Sequence, residues 1–134
     1  SLITDLALSP DGGTLYLAGG FTAVGSQAPQ PARTAWAAVN TADATATAFN
    51  PNQDGGGASI FSDGFALSPD GSTLYIAGNF TMFGSDHQPR TKVAGVSTAG
   101  TGTATGFAPN PNNGVDTIAV GTTPSTFMRW ISPA

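Results

Sequence analysis

Residues 7–26 read ALSPDGGTLYLAGGFTAVGS, and residues 66–85 read ALSPDGSTLYIAGNFTMFGS. The two stretches lie 59 positions apart, and fifteen of their twenty aligned residues are identical. Internal similarity at a spacing of this size indicates a repeat architecture, in which each unit buries its apolar face against a neighbouring unit. The sequence therefore predicts stacked copies of one small supersecondary unit.

The similarity continues beyond these stretches and divides the chain into units. Arg33 returns as Arg90, and the segment NPN at residue 50 returns at residue 110. The segment VDTIAV at residue 115 resembles ITDLAL at residue 3. We expect one domain with a first unit over about residues 1–57, a second over about 58–114 and part of a third over about 115–134.

The connection SPDG follows the first predicted strand of each unit. Pro presets φ at the second position of a tight turn, Asp bonds the backbone that follows it, and Gly accepts a positive φ. This pattern predicts a β-hairpin in each unit. Its structural turn residues are Pro10, Asp11, Gly12, Pro69, Asp70 and Gly71.

Four short strands are predicted in each unit. Gly and Pro together account for 28 residues, 18 plus 10, and the β-branched residues between them disfavour helix. We expect strands at about 3–8, 14–19, 34–40 and 45–49, and at about 64–68, 73–78, 92–97 and 103–107. The second strand of each unit, with LYLA or LYIA, does not alternate apolar and polar residues, which is typical of a strand covered on both faces.

A four-stranded sheet that similar sheets cover on both faces suits a β-propeller blade. We therefore expect an all-β chain with two full four-stranded antiparallel blades and part of a third. Two blades alone leave outer faces and sheet edges open, and closed propellers have typically 4–8 blades. The expected partners are further blades, either from a longer parent chain or from identical copies in a homo-oligomer or filament.

Several motifs resemble a known class of repeat. The blocks LYLAGGFTAVGS and LYIAGNFTMFGS, with Arg33, Arg90 and the phrase VNTADATATAFNPN, are similar to bacterial extracellular β-propeller repeats, the delta-60-like units with a GGxFTxVGG signature. The SPDGxTLYxA portion is also similar to blades of lactonase-like and surface-layer propellers. The resemblance covers about residues 3–120. It implies a propeller fold in a secreted or cell-surface protein.

Composition narrows the expected partners. Charged residues make up 9 % of the chain, against roughly 25 % in ordinary globular proteins, and the net charge is −4. Phosphate binding depends on clustered cations, so nucleic acid is not expected. No apolar run approaches the ~18 residues of a spanning helix, so membrane insertion is not expected either. The scarcity of Lys, the absence of Glu and the many Thr, Ser and Gly residues resemble secreted bacterial β-proteins.

One segment has the spacing of a calcium loop. Asn50, Asn52 and Asp54 stand at the first, third and fifth positions, with Gly at the sixth, as in the opening half of such a loop. The twelfth position is Phe61, where the motif requires a bidentate Glu. We expect a connection between blades and no cofactor, with calcium as the alternative.

Candidates for ligand binding are Trp36, Asp86, His87, Arg90 and Arg33. The two arginines open the third strand of each unit, where they either surround an anionic ligand or bridge to a carboxylate or carbonyl of the neighbouring blade. Asp86 and His87 lie in a loop, and propeller loops carry binding. Trp36 has no aromatic counterpart in the second unit, and either packs or contacts a glycan.

No catalytic residue is predicted. Asp11 and Asp70 occupy equivalent places one unit apart, and paired acids and bases need carboxyls that converge on one substrate. The leading hypothesis is a non-enzymatic extracellular structural or interaction module that self-assembles or belongs to a larger surface protein. The alternatives are a carbohydrate-binding propeller and a fragment of a lactonase-like propeller hydrolase.

Overall fold

A computed structural model describes residues 3–52 and 58–112 of the chain. Within these ranges the structure is all-β, with antiparallel sheets that do not close and with no helix. The all-β prediction is therefore confirmed. A search of the same residues for a helix long and apolar enough to cross a membrane finds none.

The described residues form two three-stranded sheets and one small two-stranded sheet. The strands are β1 (Ile3–Leu8), β2 (Thr14–Gly19), β3 (Trp36–Asn40), β4 (Ala58–Leu67), β5 (Thr73–Phe80), β6 (Met82–Phe83), β7 (Gln88–Pro89) and β8 (Val93–Ser97). The first sheet has the order β1-β2-β3, the second has the order β4-β5-β8, and β6 pairs with β7. All pairings are antiparallel.

The third strand of each unit starts later than predicted. In the first unit it starts at Trp36, two residues late, and in the second at Val93, one residue late. The preceding residues, Ala35 with φ 71° and Lys92 with φ 68°, adopt left-handed backbone. A residue in that conformation cannot continue an extended strand, so pairing with the central strand begins just after it.

The fourth strand of each unit is reduced to a single bridge, where a full strand was predicted. These bridges join Val39 to Ala46 and Val96 to Ala104. Beyond the first bridge, the N–H of Phe49 donates to the Thr47 hydroxyl at 3.2 Å instead of to a strand. Such local side-chain bonds compete with the sheet ladder. Each main sheet of the described residues thus has three full strands and a bridged segment beside the third.

Both main sheets have two apolar faces, because successive strand residues point to opposite sides. We call them the Tyr face and the Leu face. In the first sheet the Tyr face carries Ala7, Tyr16, Ala18, Trp36 and Ala38, with Asp5 beside Ala18 at its edge, and the Leu face carries Leu6, Leu8, Leu15, Leu17, Ala37 and Val39. In the second sheet the Tyr face carries Ala66, Tyr75, Ala77 and Val93, and the Leu face carries Phe65, Leu67, Leu74, Ile76, Ala94 and Val96.

The main core lies between the two sheets, where the Tyr face of the first sheet packs on the Leu face of the second. Trp36 lies within it, fully buried and edge-on to Phe80 and Phe83, with ring centroids 6.3 and 4.9 Å away. The central strands β2 and β5 are buried on both sides over residues 16–19 and 74–78. This confirms the prediction of strands covered on both faces.

Trp36 provides a test of this core. We expect Trp36→Ala to lower the free energy of unfolding by about 3–5 kcal/mol, because it leaves a cavity between the sheets. Trp36→Phe should cost clearly less, since the indole N–H has no hydrogen-bond partner to lose. Urea unfolding monitored by far-UV circular dichroism measures the free energy of unfolding of both variants, and this signal does not depend on tryptophan fluorescence. Met82→Ala, at a side chain that is 41 % exposed, is the control and should stay within about 0.5 kcal/mol of the wild type. An equal, small loss for both Trp36 variants would contradict this packing.

Candidate functional site

The aspartate of each SPDG turn closes that turn. Asp70 Oδ1 accepts from the Ser68 hydroxyl at 2.8 Å, from the Ser72 hydroxyl at 2.7 Å and from the Ser72 N–H at 3.0 Å. Gly71 follows it with φ 77°. In the first unit Asp11 accepts from the Ser9 hydroxyl and from the Gly13 N–H. The structure places both carboxylates in turns at the ends of hairpins.

These hydrogen bonds keep both turn carboxylates ionised. The bonds from Ser72, first from its N–H and then from its hydroxyl, together with the bond from Ser68, lower the pKa of Asp70 from 3.8 to about 2. The bonds from Ser9 and Gly13 lower the pKa of Asp11 in the same way. A carboxylate with a lowered pKa is an acceptor at neutral pH and a poor general acid. The two aspartates therefore have the properties of turn anchors.

The two arginines hold their own units together. Arg33 donates from Nη2 to the Thr47 carbonyl at 2.7 Å and from Nη1 to the Ala32 carbonyl at 2.7 Å. Arg90 donates in the same way to the carbonyls of Thr105, at 2.6 Å, and Pro89, at 2.7 Å. The expected bridge to a neighbouring blade is thus corrected, because each guanidinium binds carbonyls of its own unit. Each arginine thus ties the segment that follows the isolated β-bridge to the residues that precede the third strand.

The Asp86 carboxylate also anchors a loop. Its Oδ1 accepts from the Ala104 N–H at 3.0 Å. In the first unit Gln27 occupies the equivalent position, and its Oε1 accepts from the Ala46 N–H at 3.0 Å. The contact made by the binding candidate Asp86 thus has an equivalent in the first unit.

His87 is exposed at the tip of the hairpin formed by β6 and β7. Its backbone has φ 54°, and its N–H donates to the Gly84 carbonyl at 3.0 Å. It is one of the binding candidates predicted from the sequence, and its side chain lies in an exposed loop. Arg90 lies three positions later in the chain, and its guanidinium binds the carbonyls of Pro89 and Thr105.

Trp36 is not at a binding surface. Its side chain is 0 % exposed, and its ring lies between the two sheets. A glycan cannot stack on this ring, so the binding interpretation of Trp36 is corrected to packing. The position lacks an aromatic counterpart because Val93 takes its place on the Tyr face of the second sheet.

The Asn-Pro-Asn segment connects the two units. The Asn50 N–H donates to the Thr101 carbonyl of the second unit at 2.9 Å. The Asn52 amide donates to the Thr34 carbonyl at 3.2 Å and is 6 % exposed. The third candidate calcium ligand, Asp54, lies outside the described residues. Within the described ranges no group of three or more His, Cys, Asp or Glu residues could hold a metal ion.

One element was missed by sequence reasoning, the β6–β7 hairpin. Its counterpart in the first unit is the bridge between Ala23 and Ala32. Gly25 and Gly84 occupy equivalent positions after these segments, with φ 117° and 91°. A glycine kept at the same place in both units is the signal that could have indicated this turn.

Comparison with known proteins adds no relative, since no protein-family model, no curated protein and no solved structure matches this chain.

The Asp70 turn predicts a pH dependence of stability. The folded pKa of about 2 lies below the unfolded value of 3.8, so this contribution is present above 3.8 and is lost as the pH falls through about 2. Asp70→Asn should therefore be less stable than the wild type at neutral pH, and the difference should shrink over this range. Thermal unfolding at a series of pH values measures it. Asp5→Asn is the control. Burial raises the pKa of Asp5, so this substitution should change the stability at neutral pH in the direction opposite to Asp70→Asn. A wild-type-to-variant difference that is constant with pH would contradict the role of the Asp70 charge.

The loop anchors predict a local effect. We expect Asp86→Ala to open the contact with Ala104 and to speed hydrogen exchange of the Ala104 amide by about fivefold, since one hydrogen bond contributes about 1 kcal/mol. The matched variant, Gln27→Ala, should do the same to the Ala46 amide and leave Ala104 unchanged. Exchange measured by NMR distinguishes the two sites. Equal effects on both amides in either variant would show that the anchors act through global stability instead.

Proposed function

We propose that this chain is a non-enzymatic structural and interaction module of an extracellular or cell-surface protein, and that its sheets are β-propeller blades. The observation that carries the proposal is the way in which the sheets pack, with the Tyr face of one against the Leu face of the next. Contacts between unlike faces repeat in one direction and close into a ring when the rotation allows it. Blades around a propeller axis are joined by contacts of this kind.

The polar residues support a structural role over a catalytic one. Asp11 and Asp70 close equivalent turns, and Arg33 and Arg90 bind equivalent carbonyls. Each of these residues thus contributes its hydrogen-bonding capacity to the unit that contains it. A side chain used in the same way by both described units builds the unit.

The location and the partners follow from composition and from the loops. A chain with 9 % charged residues and many Thr, Ser and Gly residues is typical of secreted bacterial β-proteins, as its sequence motifs also suggest. Its partners are further blades, and the β6–β7 hairpin with His87 at its tip is the surface we assign to contact with other molecules. No nucleic acid or cofactor enters this proposal, and calcium at Asn50, Asn52 and Asp54 stays an alternative.

The stacked-blade part of the proposal is tested by measuring whether a substitution in the second sheet also destabilises the first. Leu74 is fully buried on the Leu face of the second sheet. We expect Leu74→Ala to lower the free energy of unfolding by about 2–5 kcal/mol and to reduce hydrogen-exchange protection in β2 as well as in β5, because the two sheets share one core. Leu8→Ala, at a side chain that is 57 % exposed, is the control. Protection in β2 that is unaffected by Leu74→Ala would mean that the sheets fold independently, and would overturn the proposal.

The non-enzymatic part is tested by screening. We expect the chain to hydrolyse lactones and esters no faster than buffer does. Turnover that disappears in His87→Asn, a change that keeps a residue tolerant of positive φ, would replace this proposal with the hydrolase alternative. Glycan-array binding that disappears in the same variant would favour the carbohydrate-binding alternative.

A further inference from the structure

The bridged segment after β3 forms the outer edge of the first sheet. The bridged residue is Ala46, and its two neighbours bind β3. The Thr47 N–H donates to the Ala38 carbonyl at 2.9 Å, and the Asn40 N–H donates to the Thr45 carbonyl at 2.8 Å. In an antiparallel pair of this kind, the N–H and C=O of the bridged residue itself point away from the partner strand. The outward groups of Ala46 are therefore those to which a further strand would bind.

A loop lies along this edge, and we call its residues 24–31 the strap. The Ser26 N–H donates to the Ala44 carbonyl at 3.0 Å. The Gln27 side chain binds both outward groups of Ala46: its Nε2 donates to the carbonyl at 3.3 Å, and its Oε1 accepts from the N–H at 3.0 Å. A carboxamide offers a donor and an acceptor side by side, as one residue of a strand does. The strap thus occupies the place of an added strand.

Gly25 allows the strap to lie this close to the edge. Its φ is 117°, and a Cβ at this position would lie 3.0 Å from the Ala46 N and would collide with Gln27 Oε1. Glycine is the residue that accepts both this backbone conformation and this close approach. The edge is therefore closed by the strap as a whole, because its backbone fills the space that a second chain would need.

Both units bind such a loop to the outer edge through a serine. In the first unit the Ser26 hydroxyl donates to the Asp43 carbonyl at 2.7 Å, in addition to the bond from its N–H. In the second unit the Ser85 N–H donates to the Gly102 carbonyl at 3.0 Å, and its hydroxyl is bonded to that of Thr101 at 2.8 Å. The two loops therefore differ in the residue after the serine and in how their bases are held.

The residue after the serine binds the edge more completely in the first unit. Gln27 binds the N–H and the carbonyl of Ala46, whereas Asp86 accepts from the Ala104 N–H at 3.0 Å. A carboxylate accepts only, so it cannot donate to the Ala104 carbonyl. Gln27 therefore makes two hydrogen bonds where its counterpart makes one.

The base of the loop is held more firmly in the second unit. There β6 and β7 pair over two residues, and the Phe83 ring is 2 % exposed because it packs against Trp36. At the base of the strap a single bridge joins Ala23 to Ala32, and the Val24 side chain is only half-buried. The loop of the second unit is thus held by the core, whereas the strap is held by its hydrogen bonds to the edge.

The segment beneath the strap has the composition of a pairing strand. Residues 44–49 read ATATAF, without charge, Pro or Gly. An uncovered edge of this kind pairs with another chain. Because each copy offers an outward N–H and an outward C=O at Ala46, two copies can bond reciprocally about a two-fold axis. The partner that this edge fits is therefore a second copy of the chain.

We propose that the strap is a displaceable cover over a dimerisation edge, and that Gln27 is the residue that keeps it closed. When the strap opens, the outer edge of the first unit pairs antiparallel with the same edge of a second copy. The outer edge of the second unit stays covered, because Phe83 holds its loop in the core. This inference goes beyond the proposed function, since it concerns the outer edges of the sheets and not the faces through which they stack.

The first experiment tests the strap by hydrogen exchange in dilute solution. In the wild type the Ser26 and Ala46 amides should have similar protection, and both should be less protected than the Ser85 amide, because the strap opens as one unit. Gln27→Ala should speed exchange of the Ser26 amide at least about fivefold, since the strap loses the hydrogen bonds that Gln27 makes. Asp86→Ala should leave the Ser85 amide unchanged.

Gln30→Ala is the matched control for this experiment. It removes the same kind of side chain from the same loop, but the Gln30 Nε2 donates to the Gly25 carbonyl at 2.9 Å, within the strap. The Ser26 and Ala46 amides should therefore exchange as in the wild type. A Ser26 amide that Gln27→Ala leaves unchanged, or that Gln30→Ala speeds equally, overturns the role of Gln27.

The second experiment measures association by sedimentation over a micromolar-to-millimolar series. Gln27→Ala should associate at least about tenfold more strongly than the wild type, because pairing no longer requires two hydrogen bonds to break first. Its mass should approach twice that of the wild type and stop there, since a two-fold contact uses the one opened edge. Asp86→Ala should associate as the wild type does.

The Ala46 amide shows whether this association uses the edge. In the Gln27→Ala dimer the amide binds the other copy, so its protection should rise with concentration. If Gln27→Ala does not fold, Gln27→Met, which keeps the length of the side chain and loses both hydrogen bonds, takes its place. A variant that associates no more than the wild type, or whose Ala46 amide gains no protection with concentration, overturns the dimerisation edge.

These outcomes are independent of the test of stacked blades. The strap experiments follow amides at the outer edge, whereas Leu74→Ala perturbs the core between the sheets. A strap that does not respond to Gln27→Ala would overturn this inference and leave the stacked-blade proposal standing. Sheets that unfold independently would overturn the stacked blades and leave the strap to be judged by its own amides.

Discussion

The contact between the Tyr face of the first sheet and the Leu face of the second is the interaction on which the structure depends. A three-stranded sheet that is apolar on both sides cannot cover itself, and burial of apolar surface is the dominant favourable term in folding. Packing two such sheets face to face buries Tyr16, Trp36, Leu74 and Ile76 together. The low charge of the chain has the same origin, because a sheet covered on both sides leaves few positions where a charge can be solvated.

Each unit adds its own hydrogen bonds to this apolar contact. The hydroxyl of Thr41, just after β3, donates to the Gly12 carbonyl at 2.7 Å, and Thr98 donates to the Gly71 carbonyl at 2.6 Å. The hairpin turn is thus joined to the end of the third strand in both units. Together with the arginine bonds, these contacts satisfy backbone groups that the short strands leave unpaired. Much of the polar chemistry of the described residues thus holds the sheets in shape.

The positions at which the two units differ also follow from the contact between them. Trp36 on the first sheet corresponds to Val93 on the second, and it packs against Phe83, whose own counterpart is the smaller Val24. At another position Ala38 corresponds to Gly95, where a Cβ would lie 2.8 Å from Thr105 Oγ1 and 3.3 Å from Tyr75 Cε1. The large and small residues of the repeat are therefore matched to what each one faces.

The features that local sequence determines were predictable. The central strands at LYLA and LYIA were read from their uninterrupted apolar residues, and the turns at Asp11 and Asp70 from Pro-Asp-Gly, because conformation there depends on residues only a few positions apart. The partners of Arg33, Asp86 and Trp36 could not be predicted, because a backbone group or ring some 14 or more positions away leaves no signature in the surrounding residues. The loss of a full fourth strand and the choice of which face meets the neighbouring sheet likewise come from packing. Sequence periodicity shows that both faces are apolar, but only the arrangement of the sheets in space shows that one face of the first sheet is covered while Leu6 and Leu8 on the other lie open.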